Sequence, residues 1–140
     1  MISGTGTRGL DKVLADTSVW IEFFRKREPW HGVVAKLMDD RRLCCMGIVL
    51  AELIQGAKSD TERDVLRDFV HVFDFLPDTV DHWRQAGELS RALRNKGKSI
   101  GLADCYIAVT AAVGNVKLLT LDKHFEVIKG AAGLSLFKPD

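Results

Sequence analysis

The chain has 140 residues, a length that favours one domain built around a single hydrophobic core. Apolar residues make up 46% and charged residues 28% of it, which is typical of soluble globular proteins and excludes a largely disordered chain. No apolar run approaches the roughly 18 residues of a membrane span and no signal-peptide pattern begins the chain, so we expect a cytoplasmic protein without a membrane partner. The formal net charge of +1 excludes a general attraction to nucleic acids.

Hydrophobic periodicity predicts that strands and helices alternate along most of the chain. In chain order the prediction is strand 12–15, helix 19–24, helix 30–38, strand 43–46, helix 47–56, helix 60–72, strand 73–76, helix 79–95, helix 102–113, strand 116–121 and strand 134–137. Such alternation is typical of an α/β protein with a parallel sheet and helices on both faces. We assign residues 12–138 to this domain.

The segment before the first strand, Met1 to Asp11, has a turn-forming composition without periodicity, and we expect a flexible extension. It contains a formal G-x-G-x-x-G pattern from Gly4 to Gly9, but a dinucleotide site needs a strand before these glycines and a helix after them. The strand comes after the glycines here, so the pattern does not favour nucleotide binding.

The cysteines Cys44, Cys45 and Cys105 are odd in number, and their spacing matches neither a C-x-x-C motif nor a zinc site. Free cysteine is among the residues most often buried in proteins. We therefore expect three buried, reduced thiols.

Four acidic residues stand in apolar surroundings: Asp16, Glu52, Asp104 and Asp122. Asp16 and Asp122 end predicted strands, whereas Glu52 and Asp104 lie in predicted helices, and the apolar neighbours of Glu52 predict that it is buried. Because the carboxyl ends of parallel strands face one edge of a sheet, we expect the four acids to converge there. Asp16 taken alone could equally be a helix cap.

Several carboxylates in one pocket repel one another and need cations to be stable. Ligands that offer only oxygen favour Mg²⁺ or Mn²⁺ over zinc, and such a cation would activate water for attack on a phosphate ester. The hydroxyls of Thr17, Ser18 and Thr120 are candidates to orient the acids or the water, although capping and strand propensity explain these residues equally well. A basic turn with Arg94, Lys96 and Lys98 is a candidate RNA contact or a solvated face.

The segments DTSVWIEFF at Asp16, AELIQG at Glu52, LADCYIAVTAA at Asp104 and LLTLDKHF at Asp122 resemble the PIN-domain nucleases. Among these the chain looks most like the VapC-type toxins of toxin–antitoxin pairs. The resemblance implies a three-layer α/β/α sandwich and a Mg²⁺- or Mn²⁺-dependent endoribonuclease. Asp16, Glu52 and Asp104 would then be metal ligands, and Asp122 a fourth acid that completes or supports the site.

The same resemblance implies partners. Members of this family usually form homodimers and are silenced by a small antitoxin, which covers the active site and often binds operator DNA. Two other functions remain open on the residues alone. One is a non-catalytic PIN-like scaffold that binds RNA or a protein. The other is an aspartyl-phosphate phosphatase or receiver-like domain, which Ser18 and Lys117 disfavour, because a phosphatase would carry a second Asp at position 18 and a receiver a later lysine.

Overall fold

The computed structural model describes residues 11–139, so the first ten residues of the extension predicted at 1–11, with their glycine pattern, lie outside the described residues. A sheet of four strands forms the centre: β1 (Val13–Ala15), β2 (Leu43–Cys45), β3 (Asp74–Phe75) and β4 (Lys117–Leu119). The strand order is β3-β2-β1-β4, and every neighbouring pair is parallel. This confirms the predicted parallel sheet.

Helices cover the sheet in two groups. They are α1 (Thr17–Phe24), α2 (Trp30–Asp39), α3 (Gly47–Gln55), α4 (Asp60–Arg67), α5 (Phe69–Val72), α6 (Val80–Asn95), α7 (Leu102–Val113) and α8 (His124–Ala132). Helix α1 packs against α2 and α3, and α3 packs against α4, whereas α6, α7 and α8 pack against one another. The sheet and the two groups make the three-layer α/β/α arrangement that the sequence predicts.

The central strands are short but wholly buried. Every residue of β1 has no exposed surface, and β2 is at most 5% exposed. Strands covered on both faces must be apolar throughout, which is why VLA and LCC show no alternation with polar residues. Burial of these strands removes the solvent from both sides of the sheet and fixes the positions at which their carboxyl ends emerge.

The direction of strand addition reverses beside β1. The chain adds β2 and then β3 on one side of β1, and returns to place β4 on the other side. Such a reversal opens a crevice at the carboxyl ends of the two strands concerned, which is where open α/β sheets bind ligands. A backbone hydrogen bond of 3.1 Å from the amide of Asp16 to the carbonyl of Leu119 holds the two strand ends together at this crevice.

Apart from shifts of one or two residues at the ends of elements, the structure differs from the predicted elements at three places. The helix predicted at 60–72 divides at Asp68, where the amides of Asp68 and His71 bond to carbonyls three residues back instead of four. The strand predicted at 134–137 is a single parallel bridge between Leu118 and Leu136. Helix α8 was not predicted; Phe125 and Ile128 form its buried side, and Gly133 ends it with a φ of 69°.

The three cysteines are free and buried, as predicted. Burial raises the pKa of Cys44 to about 12 and that of Cys45 to about 11, so both thiols stay protonated and unreactive at neutral pH. Within residues 11–139, no helix combines the length and apolar character that crossing a membrane requires.

Candidate active site at the carboxyl edge of the sheet

Asp16 is the first residue after β1 and the N-cap of α1. It is 5% exposed. Its Oδ1 accepts hydrogen bonds from the backbone amides of Ser18 at 3.0 Å and Val19 at 3.4 Å and from the Ser18 hydroxyl, while its Oδ2 accepts one from the Thr120 hydroxyl. The same carboxylate therefore caps the helix and faces the crevice, so the two roles considered for Asp16 are compatible.

Burial raises the pKa of Asp16, and the hydrogen bonds from Ser18 and Thr120 act in the opposite direction without cancelling it. The hydrogen-bond donors around Asp16 thus offset only part of the cost of burying its charged form. A positive charge at this point of the crevice would stabilise the ionised form.

Asp104, Asp122 and His124 form a cluster on the other side of the crevice. Asp104 lies in the first turn of α7, Asp122 follows β4, and His124 is the first residue of α8. Nδ1 of His124 lies 3.4 Å from Oδ2 of Asp104 and 3.3 Å from Oδ1 of Asp122. One ligand atom from each of the three residues lies within 4.8 Å of the others, a spacing at which they could share a metal ion.

Electrostatic repulsion acts on Asp104. Burial raises the pKa of this carboxyl, the charge on Asp122 raises it further, His124 lowers it, and the charge on Glu52 raises it by a smaller amount. Asp122 and Glu52, from separate parts of the chain, therefore lie close enough for their charges to act on Asp104, whereas Asp16 is connected to Asp122 through the hydrogen bonds of Thr120.

Two hydroxyls connect Asp16 to the segment that carries Asp122. Thr120 donates to Asp16 and accepts a hydrogen bond of 2.9 Å from the backbone amide of Asp122. Ser18, which donates to Asp16, accepts one of 3.0 Å from the amide of Leu121. The network fixes the start of α1 relative to the loop after β4, so Thr120 and Ser18 do more than cap a helix or favour a strand.

Glu52 differs from the other acids because it is exposed, and the prediction that apolar neighbours bury it is wrong. Helix α3 buries only the side that carries Val49 and Leu53, which leaves Ala51 and Glu52 towards solvent. The third candidate hydroxyl, that of Thr17, donates to Oε1 of Glu52 over 2.8 Å. Glu52 therefore needs no partner to offset burial, and its place at the site rests on its charge, which acts on Asp104.

Sequence reasoning missed His124, since no metal-binding spacing between histidines includes it. The sequence does place His124 only two residues after the candidate acid Asp122, which could have indicated it. Its backbone amide donates to Oδ1 of that carboxylate over 2.9 Å. Of the other candidates, Arg94, Lys96 and Lys98 are exposed at the end of α6 and in the turn that leads to α7.

Fold and site together define an α/β protein with an acidic site at the switch point of a parallel sheet. The profile of the PIN domain matches residues 13–131, and the chain belongs to the PIN-domain family. Among characterised relatives, Ribonuclease VapC1 of Methanocaldococcus jannaschii is 32% identical over 121 residues, which cover 84% of this chain and 82% of that protein. Ribonuclease VapC11 of Mycobacterium tuberculosis is 30% identical over 122 residues, or 83% of this chain and 90% of that protein.

Solved structures show the same fold. DNA-bound VapBC from Salmonella typhimurium superposes with a TM-score of 0.72 at 25% identity, over 91% of this chain and 98% of that chain. VapBC2 from Rickettsia felis, bound to a promoter DNA fragment, superposes with a TM-score of 0.70 at 23% identity and supports the fold. The resemblance to VapC-type proteins, which rests on the segments around the four acids, is thus confirmed.

Proposed function

We propose that this chain is a Mg²⁺- or Mn²⁺-dependent endoribonuclease that acts as the toxin of a type II toxin–antitoxin pair. The observation that carries the proposal is the convergence of Asp104, Asp122 and His124 beside the buried Asp16, at the switch point of a PIN-domain sheet. RNA as the substrate is supported by the relatives that are named VapC ribonucleases.

The donor set fits a divalent cation. Burial and the charge on Asp122 raise the pKa of Asp104. A cation between these two carboxylates would relieve their mutual repulsion. Carboxylate oxygens are the ligands that Mg²⁺ and Mn²⁺ prefer. We assign Asp16, Glu52, Asp104 and Asp122 as the residues that hold the cation, with the ring of His124 as a neighbour within 3.4 Å of the last two.

A cation held by these acids would supply a water of lowered pKa and would neutralise charge on the phosphodiester. The residues of the chain hold the acids ready for that cation. Two backbone amides and two hydroxyls fix both oxygens of Asp16, so this carboxylate cannot rotate away from the crevice. Thr17 orients Glu52, and Nδ1 of His124 lies between the facing oxygens of Asp104 and Asp122.

We further propose a small antitoxin as the protein partner, operator DNA that is bound only through that antitoxin, a homodimer and a cytoplasmic location. The similarity to VapBC from Salmonella typhimurium, solved as a complex with DNA, supports the antitoxin and the DNA. The charge of +1 is consistent with DNA contact through a partner, because the chain itself carries no strong positive excess.

The deciding experiment is cleavage of a mixed cellular RNA pool by the purified protein with Mg²⁺ or Mn²⁺. It is run beside EDTA, beside Asp104→Asn, and beside Asp40→Asn, which removes one acid at the end of α2, outside the site. We expect discrete products that require the metal and Asp104 but not Asp40. Mapping the ends of the products would begin to identify the RNA.

Cleavage that survives both EDTA and Asp104→Asn would contradict the mechanism. A chain that neither cleaves RNA nor binds Mn²⁺ in calorimetry would instead be the non-catalytic PIN-like scaffold. The intact group of mutually repelling acids favours the enzyme over that scaffold, because a protein that only binds has no use for their repulsion.

A further inference from the structure

A groove of about 270 Å³ leads away from the acidic site. Helix α1 forms one wall, and α3 with the start of α4 forms the other. Thr17 and Glu52, which share a hydrogen bond of 2.8 Å, form the end next to the acids. The groove is therefore continuous with a residue that we assign to the metal.

One wall of the groove is apolar. Ile21 is 37% exposed although it lies in a helix that is otherwise packed against the core. Phe24 lines the groove beside it, and the ring of Phe24 also packs on Trp20 and Phe69, with centroids 6.1 and 6.4 Å away. This wall is thus a firm apolar surface that faces solvent within the groove.

Two cations line the same groove. Arg25 follows the last residue of α1, and Lys58 lies between α3 and α4. Both are exposed, and among residues 11–139 neither lies within 4.0 Å of a carboxylate in an ion pair. Glu62, in the first turn of α4, is the second acid that lines the groove besides Glu52.

We propose that this groove binds one nucleotide of single-stranded RNA, next to the phosphodiester that is cleaved. The base lies against Ile21 and Phe24, and a phosphate lies between Arg25 and Lys58. The proposal rests on the proposed function, since it places the substrate relative to the acids. According to the proposal, residues of α1 and of the loop before α4 help to select the RNA substrate.

Three features favour a nucleotide over a protein segment. Sequence-selective proteins bind single-stranded RNA by splaying its bases onto apolar and aromatic side chains while cations follow the backbone, and the groove offers both. Its volume lies below the roughly 300–1,000 Å³ of pockets for drug-sized ligands, which suits one base better than a helix. The end formed by Thr17 and Glu52 borders the acidic site, as a bound strand that continues into the site requires.

The test is binding of a short, fluorescently labelled, single-stranded RNA of randomised sequence to the full chain, with Asp104→Asn as the background that prevents cleavage. We expect Arg25→Ala/Lys58→Ala to weaken binding about tenfold and to reduce the slope of log affinity against log salt by about 0.7, the value for removal of one phosphate interaction with a single strand. Glu62→Gln, which removes a repulsive acid from the groove, should strengthen binding. The control Lys36→Ala/Lys129→Ala removes the same charge from α2 and α8 and should change neither quantity.

The base is tested by competition. Uridine and adenosine 5′-monophosphates should displace the labelled RNA better than ribose 5-phosphate, and Ile21→Asp should abolish that advantage. Ile21 is partly exposed, so this change is tolerated by the fold better than a change at Phe24; circular dichroism and thermal unfolding verify it.

Failure of this proposal is distinguishable from failure of the proposed function. If the wild-type chain cleaves RNA but the groove variants bind RNA with unchanged affinity and salt slope, the groove is not a nucleotide site, and a protein segment is its remaining occupant. If the groove variants lose RNA binding although the wild-type chain cleaves no RNA, the groove assignment stands and the catalytic one falls. If the groove and control variants lose RNA affinity equally, the loss reflects the overall charge of the chain, and the proposal is overturned.

Discussion

Asp16 and Glu52 each accept a hydrogen bond from a threonine hydroxyl, yet their surroundings differ. Asp16 is 5% exposed and is held by Thr120, Ser18 and two backbone amides, whereas Glu52 is exposed and has the Thr17 hydroxyl as its hydrogen-bond donor. Asp16 follows a fully buried strand, while Glu52 projects from the open side of a helix.

The difference indicates a division of labour. A carboxylate fixed on both oxygens is positioned before any ligand arrives, which suits a residue that must define where the cation sits. A carboxylate on an exposed side chain can adjust its position as substrate enters, and Glu52 borders the groove proposed for RNA. We therefore expect changes on the Asp16 side to affect metal binding, and changes on the Glu52 side to affect substrate more than metal.

The largest effect should come from the threonine on the buried side. Thr120→Ala removes the donor to Oδ2 of Asp16 and should lower Mn²⁺ affinity and RNA cleavage by about 10- to 100-fold, the usual cost of losing a residue that orients a metal ligand. Thr17→Ala removes the donor to an exposed carboxylate and should cost less than about tenfold, because water can replace that hydrogen bond.

Calorimetric titration with Mn²⁺ and initial cleavage rates measure both variants. Thr61→Ala, on the exposed side of α4, is the control for loss of a threonine hydroxyl and should match the wild type. If Thr120→Ala and Thr17→Ala lose Mn²⁺ affinity and cleavage rate equally, the burial of Asp16 does not make its threonine more important than that of Glu52.

A smaller effect should appear in the stability of the metal-free protein. The pKa of Asp104 is raised in the folded state by burial and by Asp122, so the unfolded chain gives up this proton at lower pH than the folded one. Folding stability therefore falls as the pH rises from about 4, the unfolded value, through the raised folded value. Asp104→Asn removes this penalty and should raise the melting temperature at pH 7 by a few degrees, with the gain vanishing below about pH 4.

Thermal unfolding of the wild type and Asp104→Asn in EDTA, from below pH 4 to pH 7, tests whether the melting temperature of the variant is the higher one. With Mg²⁺ at high concentration the order should reverse, because the wild type gains binding free energy that Asp104→Asn loses. A variant that is less stable than the wild type in EDTA at pH 7 would show that the repulsion at Asp104 does not limit stability.

The same contrast explains how far the sequence predicted the site. Asp16 was identifiable because a buried apolar strand that ends in an acid before a helix leaves that carboxylate few other places to lie. The exposure of Glu52 could not be predicted from the sequence. Ile48 and Leu50 make α3 apolar on more than its buried side, and the periodicity of one sequence does not tell which side of such a helix meets the sheet.

The end of the chain was predicted least well, for a related reason. Lys123, the N-cap residue of helix α8, makes no side-chain cap hydrogen bond, so the usual signal for a helix start is absent at that position. Only two residues of α8, Phe125 and Ile128, are buried, which is too few for a clear helical period. The run at 134–137 has the composition of a strand, but only Leu136 pairs, at the edge of β4. His124 escaped notice because its role depends on α7 and the end of β4 meeting in space.

The smallest expected effect lies at the basic turn that leads into α7. Arg94, Lys96 and Lys98 are exposed, and the turn in which they lie closes with amides of Lys96 and Lys98 bonded to the carbonyl of Leu93. Residues 94–99 carry no apolar side chain on which a base could lie, so this turn can contribute only phosphate contacts. Changing the three residues to Ala should weaken RNA binding a few-fold and flatten its salt dependence slightly, uniformly across sequences, by the same fluorescence measurement. An unchanged salt slope would mean that this turn faces solvent only, and RNA would then reach the acids from the α1 side alone.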